Sequence, residues 1–280
     1  PPPLTFSMQY ENNTLYYIYD PMCSWCYAFE QSLHSIKMQL PTQLNFKTIL
    51  GGLAADTDMP MPEASKSMIQ QAWRQIESTV PHIRFNFNFW SDINIPYRST
   101  YPACRAILAT ENQSPDLTEA MRKMIQQAYY QDAKNPSLEA TLVACAVQLA
   151  LDIDQFILDL HSPEINQQLQ QHILLSRLMQ ATSFPSLRLI LKEEIYTLPL
   201  NYTNTAETID QLNKLLGQHL KTNIESPCIR QCNLDEQDVC LGCFRSMDEV
   251  TGWAYASEAK KTAILSQAQQ RKKLYNKKLM

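Results

Sequence analysis

The chain alternates between short runs that are apolar almost throughout and longer stretches whose apolar residues recur every three or four positions. The first run, Leu15-Tyr-Tyr-Ile-Tyr-Asp20, has the length and aromatic content of a buried strand, and Pro21 stops it. Between Cys26 and Leu40, the residues Phe29, Leu33, Ile36 and Leu40 fall at helical spacing, and Pro41 ends that helix. Asn45–Leu50 reads as a second strand, closed by Gly51-Gly52. Strand, helix-length crossover and strand make a parallel βαβ unit with a right-handed connection. From about residue 60 the period becomes helical, and helices are expected near 62–79, 101–111, 116–132, 137–150, 153–160 and 163–180. Asn135-Pro-Ser-Leu-Glu139 and Ser162-Pro-Glu look like helix starts, with an early proline and an acid in the first turn. Phe85-Asn-Phe-Asn-Phe-Trp90 alternates but is short and bounded by a loop. It reads as a lining or edge segment, its aromatics filling the core in preference to lining a substrate groove. After Phe184-Pro185, Ser186–Leu191 and Glu194–Leu198 read as paired strands, with a helix over Ala206–Leu220.

The order is sheet, helical block, sheet, which makes the fold α/β with an all-helical insertion. The expected domains are 14–58 with 183–221, the insertion at 59–182, and a small module at 222–280. Of the 280 residues, 45% are hydrophobic and 19% charged, enough apolar material for a sizeable core. A net charge of −4 argues against a wholesale nucleic-acid binder. No stretch approaches the ~18 apolar residues of a membrane helix. Pro1–Tyr10 shows no basic segment followed by an apolar run, so no leader is expected and the compartment reads as cytoplasmic, or periplasmic if a leader preceded residue 1. With five glycines and no GxGxxG or GxxxxGK, nucleotide cofactors are not favoured.

Chemistry enters with the cysteines, eight in all. Cys23-Ser-Trp-Cys26 lies between a predicted strand and a predicted helix. Two thiols at that spacing close a disulfide with little backbone movement, and the unpaired N–H groups of the helix start favour thiolate at the first. Cys23 is therefore the candidate nucleophile and Cys26 the candidate resolver, with Ser24 and Trp25 tuning the site. A metal site would need two further ligands, and a pair of inert buried thiols is the remaining alternative. Cys104 and Cys145, among small apolar neighbours, read as core thiols.

The stretch Asp20-Pro-Met-Cys-Ser-Trp-Cys-Tyr-Ala-Phe29 resembles the active-site region of DsbA-like thioredoxin-fold oxidoreductases, in particular the FrnE-type branch of predicted protein-disulfide isomerases. Gly51-Gly-Leu53, Tyr101-Pro-Ala-Cys-Arg-Ala106 and Ser183-Phe-Pro-Ser186 extend that resemblance over about residues 14 to 220. It implies a thioredoxin fold interrupted by a helical domain, with Pro185 as a cis-proline facing the dithiol. Such a loop would set the backbone of Phe184 beside the sulfurs to receive an extended substrate. Related isomerases and kappa-class glutathione transferases share the domain plan, but typically carry a serine in place of the dithiol.

Near the other end, Cys228, Cys232, Cys240 and Cys243 fall within sixteen residues as Cx3C, x7, CxxC. This segment resembles DUF1289, a family of unknown function, and the match continues through Asp248–Trp253. Four thiolates can meet tetrahedrally around zinc, and a module this small gains from such a staple. An iron–sulfur cluster is the second metal reading, and disulfides or an electron-relay pair at Cys240/Cys243 the third. Lys260, Lys261, Arg271, Lys272, Lys273, Lys277 and Lys278 make the following helix basic, read as a solubilising end.

These features together point to a thiol–disulfide oxidoreductase or disulfide isomerase that needs no cofactor for its dithiol chemistry. Its partners would be protein or small-molecule disulfides and thiols, with glutathione or a thioredoxin-type protein as redox partner, and neither membrane nor nucleic acid. A metal-stabilised adaptor using the C-terminal module and a glutathione-using isomerase or transferase are the alternatives. The lone cysteines and absent leader favour reduction or isomerisation over net oxidation.

Overall fold

The computed structural model describes residues 10–91, 96–219, 225–231, 233–256 and 258–278. Two compact units divide between Leu215 and Leu216. In the first, β1 (Thr14–Tyr19), β2 (Asn45–Leu50), β3 (Ser186–Leu191) and β4 (Glu194–Leu198) form one sheet in the order β2-β1-β3-β4. β1 runs parallel to β2 and antiparallel to β3, and β3 pairs antiparallel with β4, so Tyr17 stands opposite both Thr48 and Leu187. The strand that the sequence marks as apolar throughout is buried throughout, because both faces of the sheet are covered. Tyr16 and Ile18 join Ile49, Met179, Ala181 and Ile190 in one cluster. With the alternation of a strand, Tyr17 and Tyr19 stack on the other face, ring centroids 5.3 Å apart.

The helix expected from Cys26 onward is two helices, α1 (Ser24–Ala28) and α2 (Glu30–Met38). The break falls at Phe29, which is fully buried against the rings of Tyr17 and Tyr202 at 6.1 and 5.5 Å. Packing of one side chain here outweighs the helical period.

The insertion comprises α3 (Glu63–Thr79), α4 (Tyr101–Gln113), α5 (Thr118–Tyr130), α6 (Glu139–Gln148), α7 (Ile153–Leu160) and α8 (Pro163–Leu178). Ser162 caps α8, accepting from Ile165 N–H, with Pro163 in the first turn as the sequence suggests. Pro136 does not open a helix. Asn135-Pro-Ser forms a turn in which Asn135 Oδ1 accepts from Ser137 N–H and Asn135 O from Leu138 N–H, and α6 starts at Glu139. Phe87–Trp90 is a 3-10 turn whose rings gather around Trp73, together with Phe85, Tyr129 and Tyr130. The aromatic stretch is core. Arg122 of α5 reaches Glu30 of α2 at 2.6 Å, tying the insertion to the first βαβ unit.

His172 of α8 accepts the N–H of Leu50, at the end of edge strand β2, at 3.3 Å. Burial pulls its imidazole down to about 4, so the folded chain holds it neutral. Below about pH 6.5 the unfolded chain binds a proton that the folded chain refuses. Stability from this group is therefore full above pH 6.5 and is lost as pH falls toward 4, on the order of 3 kcal/mol in all. His172→Gln is expected to flatten that part of the profile, read as urea midpoints between pH 7 and 4.

After β4 the chain forms α9 (Ala206–His219). In the second unit, isolated bridges pair Leu234 with Cys240 and Val239 with Ser246, ahead of α10 (Met247–Thr251) and α11 (Glu258–Lys278). Ser246 and Glu249 close a capping box on α10. Part of the basic helix is structural: Arg271 forks onto Glu249 at 2.6 and 3.1 Å, and Lys261 and Lys272 lie over the rings of Trp253 and Phe244. Among the described residues no helix is long and apolar enough to cross a membrane.

Candidate active site

β1 ends at the dithiol. Pro21 turns the chain after Asp20, Cys23 N–H donates to Asp20 O at 3.1 Å, and Cys23 becomes the N-cap of α1. Cys23 is 8% exposed and Cys26 is fully buried one turn on. Both are free thiols. Burial first, then the hydrogen bond and charge of Cys23, push the Cys26 thiol well up. The two sulfurs thus differ: one at the surface of the site, the other beneath it as a neutral thiol.

The Phe184–Pro185 bond is cis. Phe184 O accepts from the Cys23 thiol at 3.3 Å. The loop preceding β3 is therefore against the dithiol, although 161 residues separate the two in sequence. Within α1, Trp25 packs on Tyr202 at 4.9 Å. Ser24 opens α1, and it is the Phe184 carbonyl, not Ser24, that the Cys23 thiol reaches.

Gly51 holds this arrangement together. Its N–H donates to Tyr19 O at 2.7 Å, and a Cβ there would lie 2.1 Å from the Phe184 ring. Only glycine lets that ring sit on the strand end. Gly51→Ala is expected to push Phe184 aside and lower thiol–disulfide exchange on the order of 10–100-fold while the chain stays folded. Turnover of a disulfide-linked peptide, with a thermal melt as control, checks this. Gly52 follows at φ +62°, a conformation that also suits glycine.

Four stretches distant in sequence therefore converge on the dithiol: the end of β1, Gly51–Leu53, the start of α4 and the Phe184–Pro185 loop. Asp20 joins three of them, accepting from Leu53 N–H at 2.7 Å and the Thr100 hydroxyl at 2.6 Å. Reading the sequence for chemistry passed over Asp20, Gly51, Thr100 and Tyr202 as site residues. For Asp20 a signal existed, an acid ending an otherwise apolar strand. Tyr202 carries none.

In the C-terminal unit, Cys240 and Cys243 are buried and adjacent. The N–H of Cys243, against burial and with help from the N–H of Gly242, holds the Cys240 thiol below its usual range. Arg245 Nε donates to Cys243 Sγ at 3.4 Å, and the guanidinium lies over Trp253 at 4.6 Å. Cys228 is exposed, and Cys232 lies outside the described residues. Among the described residues no group of three His, Cys, Asp or Glu side chains is arranged to hold a metal ion. Cys104 and Cys145 are buried in α4 and α6.

The family profile described as Thioredoxin matches residues 16–198, from β1 to the end of β4. The chain belongs to this thioredoxin family. A second profile, the DUF1289 family of unknown function, matches residues 226–272. The thioredoxin-family chain is 26% identical over 172 residues to the ClpXP adapter protein SpxH of Shouchella clausii, a match covering 61% of this chain and 56% of that protein. The chain thus spans little more than half the length of that curated relative. Among solved structures it resembles a candidate protein disulfide isomerase from Nitrosomonas europaea, at TM-score 0.64 and 25% identity, covering 75% of this chain and all of that one. It also shares the fold of the cytosolic disulfide reductase DsbM from Pseudomonas aeruginosa with GSH, at TM-score 0.55 and 21% identity, over 74% of this chain and 99% of that one. A Cys-Ser-Trp-Cys dithiol that follows β1 and forms the first turn of α1 in a thioredoxin fold matches a thiol–disulfide active site.

Proposed function

We propose that this protein is a thiol–disulfide oxidoreductase or disulfide isomerase of the DsbA-like, FrnE-type branch, acting in a reducing, cytoplasmic compartment. One observation carries the reading: the Cys23 thiol sits against the Phe184 carbonyl, with Cys26 buried behind it. The thiolate of Cys23 attacks a substrate disulfide. A bond forms between Cys23 Sγ and one substrate sulfur, and the other substrate sulfur leaves and takes up the Cys23 proton. Cys26 then attacks Cys23 Sγ, releasing the second substrate thiol and leaving a Cys23–Cys26 disulfide. A thiol reductant of the glutathione class returns the pair to dithiol. Phe184 and Pro185 present backbone to an extended substrate, while Trp25 and Ser24 border the entrance.

The second unit is read as a zinc-stapled module with Cys228, Cys232, Cys240 and Cys243 as ligands. The backbone N–H groups aimed at Cys240 Sγ suit a thiolate ligand, and the metal would supply a structural cross-link, not chemistry. An adaptor reading is favoured by one observation, the likeness to a ClpXP adapter protein. The experiment that separates the two follows glutathione-dependent reduction of a disulfide-linked peptide by the full chain. Catalysis lost in C23S supports the enzyme. Absence of catalysis in the parent chain, with partner binding retained in the double variant C23S/C26S, supports the adaptor.

A further inference from the structure

In the C-terminal unit Arg245 carries a full positive charge at 1% exposure, and it is among the largest side chains that the protein buries completely. A cation out of water is costly unless an anion stands beside it. Among the described residues no carboxylate pairs with Arg245, Glu249 being taken by Arg271 at 2.6 Å. Its Nε donates to Cys243 Sγ at 3.4 Å and its Nη2 to Ser226 Oγ at 3.0 Å, while Nη1, also buried, has no acceptor among the described residues. The guanidinium carbon lies 4.6 Å from the centre of the Trp253 ring. Lys261 stands over the same ring at 5.7 Å, which adds a second positive charge and no anion.

The group that can be anionic beside this cation is sulfur. Cys240 and Cys243 are both buried, and a disulfide between them would be neutral and leave the guanidinium uncompensated. A metal-bound thiolate keeps its charge and accepts such a hydrogen bond. The backbone is shaped to the same end. Phe244 takes a left-handed φ of +56° directly after Cys243, and its N–H returns to Cys240 O at 2.6 Å. Cys240 N–H donates to Arg245 O at 2.8 Å, so Arg245 is fixed to the turn that carries both cysteines. Gly242 lets the segment bearing Cys228 close on that turn, since a Cβ there would lie 2.6 Å from Gln231 O and 3.2 Å from the Ile229 side chain. Gln231 O in turn lies 3.8 Å from Cys240 Sγ.

We propose that Arg245 is the positioning residue of a zinc–thiolate centre in this unit: its Nε–H donates to the Cys243 sulfur when that sulfur is a metal ligand, and its buried charge offsets the excess negative charge of the thiolates. The inference rests on reading the cysteines of this unit as zinc ligands. Zinc loading releases the thiol protons to solvent and transfers no electrons. A buried cation with one edge on Cys243 thus favours the metal over a disulfide or relay pair.

The test uses the full chain, purified without oxygen, with zinc measured by elemental analysis and its affinity by competition with EDTA. A single bound zinc is expected, lost in Cys243→Ser. Arg245→Met keeps an unbranched stem against Trp253 but neither the charge nor the N–H, and is expected to weaken zinc binding about 10–100-fold. With cobalt in place of zinc, the sulfur-to-metal charge-transfer band of R245M should also move to longer wavelength, because the sulfur has lost a donor. A merely structural Arg245 would change how much cobalt binds but not where the band lies, so an unmoved band overturns the proposal whatever the affinity. Should R245M not fold, the parent chain loaded with NMR-active cadmium decides. The Arg245 Nε–H should then show a scalar coupling to the metal through Cys243 Sγ, and its absence overturns the proposal. The two levels separate in the parent chain. No bound metal there, or zinc that stays in C243S, defeats the zinc reading itself, whereas zinc bound as expected with an unmoved band in R245M defeats only the role of Arg245.

Discussion

Replacing Cys23 by serine is expected to remove thiol–disulfide exchange altogether, while replacing Cys26 by serine leaves the first half-reaction intact and stops the second. The asymmetry follows from position. Cys23 is the sulfur at the N-cap, in contact with the Phe184 carbonyl, and Cys26 lies fully buried beneath it. A serine hydroxyl at 23 cannot form the mixed disulfide, so turnover should fall at least ~1000-fold, to the uncatalysed background. A serine at 26 still allows attack by Cys23, but nothing then displaces the substrate. C26S should therefore accumulate a covalent adduct that a reducing agent releases, visible as a mass increase equal to the substrate thiol. Equal and complete loss in both variants, with no adduct in C26S, would show that the two sulfurs do not act in this order.

Trp73→Ala should produce the largest loss of stability. The indole is fully buried, stacks on Phe85 at 4.7 Å and meets Trp90, Phe87, Tyr129 and Tyr130 edge-on between 5.2 and 5.6 Å. Truncation of such a side chain removes its burial and leaves a cavity, costing about 3–5 kcal/mol and lowering the melting temperature by ~10 °C in a chain of this size. The damage should spread toward the dithiol, because Tyr130 stacks on Tyr27 of α1 at 4.6 Å. Among the described residues the Trp73 N–H has no acceptor. Trp73→Phe forfeits no hydrogen bond there and should cost less than half as much. A thermal melt of both variants reads the difference, and equal losses would mean that the indole N–H carries the stability.

What was legible in the sequence was whatever leaves a local period. β1 is apolar throughout because it is central in the sheet, and helices of the insertion such as α7 and α8 bury residues at helical spacing, so both announce themselves within a dozen residues. The dithiol announces itself by spacing and by sitting between a strand and a helix. What failed to show depends on partners far away. The break at Phe29 is set by Tyr202, and the bond to Asp20 spans 33 residues to Leu53 and 80 to Thr100. Asn135-Pro-Ser has the composition of a helix start, yet the Asn135 side chain takes the Ser137 N–H and makes a turn. A composition shared by two local structures is resolved by the hydrogen bond that forms, and that bond has no linear signature.

The central claim is that Cys23 and Cys26 form one reversible disulfide through which the protein exchanges electrons with thiols. Equilibrating the full chain across a series of reduced and oxidised glutathione ratios tests it most directly, with the cysteines trapped by acid and the disulfides mapped by mass spectrometry. A single two-electron transition should appear, a tenfold change in the equilibrium spanning about 30 mV, with Cys23–Cys26 as its product and Cys104 and Cys145 reduced throughout. A transition carried by other cysteines, with Cys23 and Cys26 remaining free at every ratio, would contradict the claim.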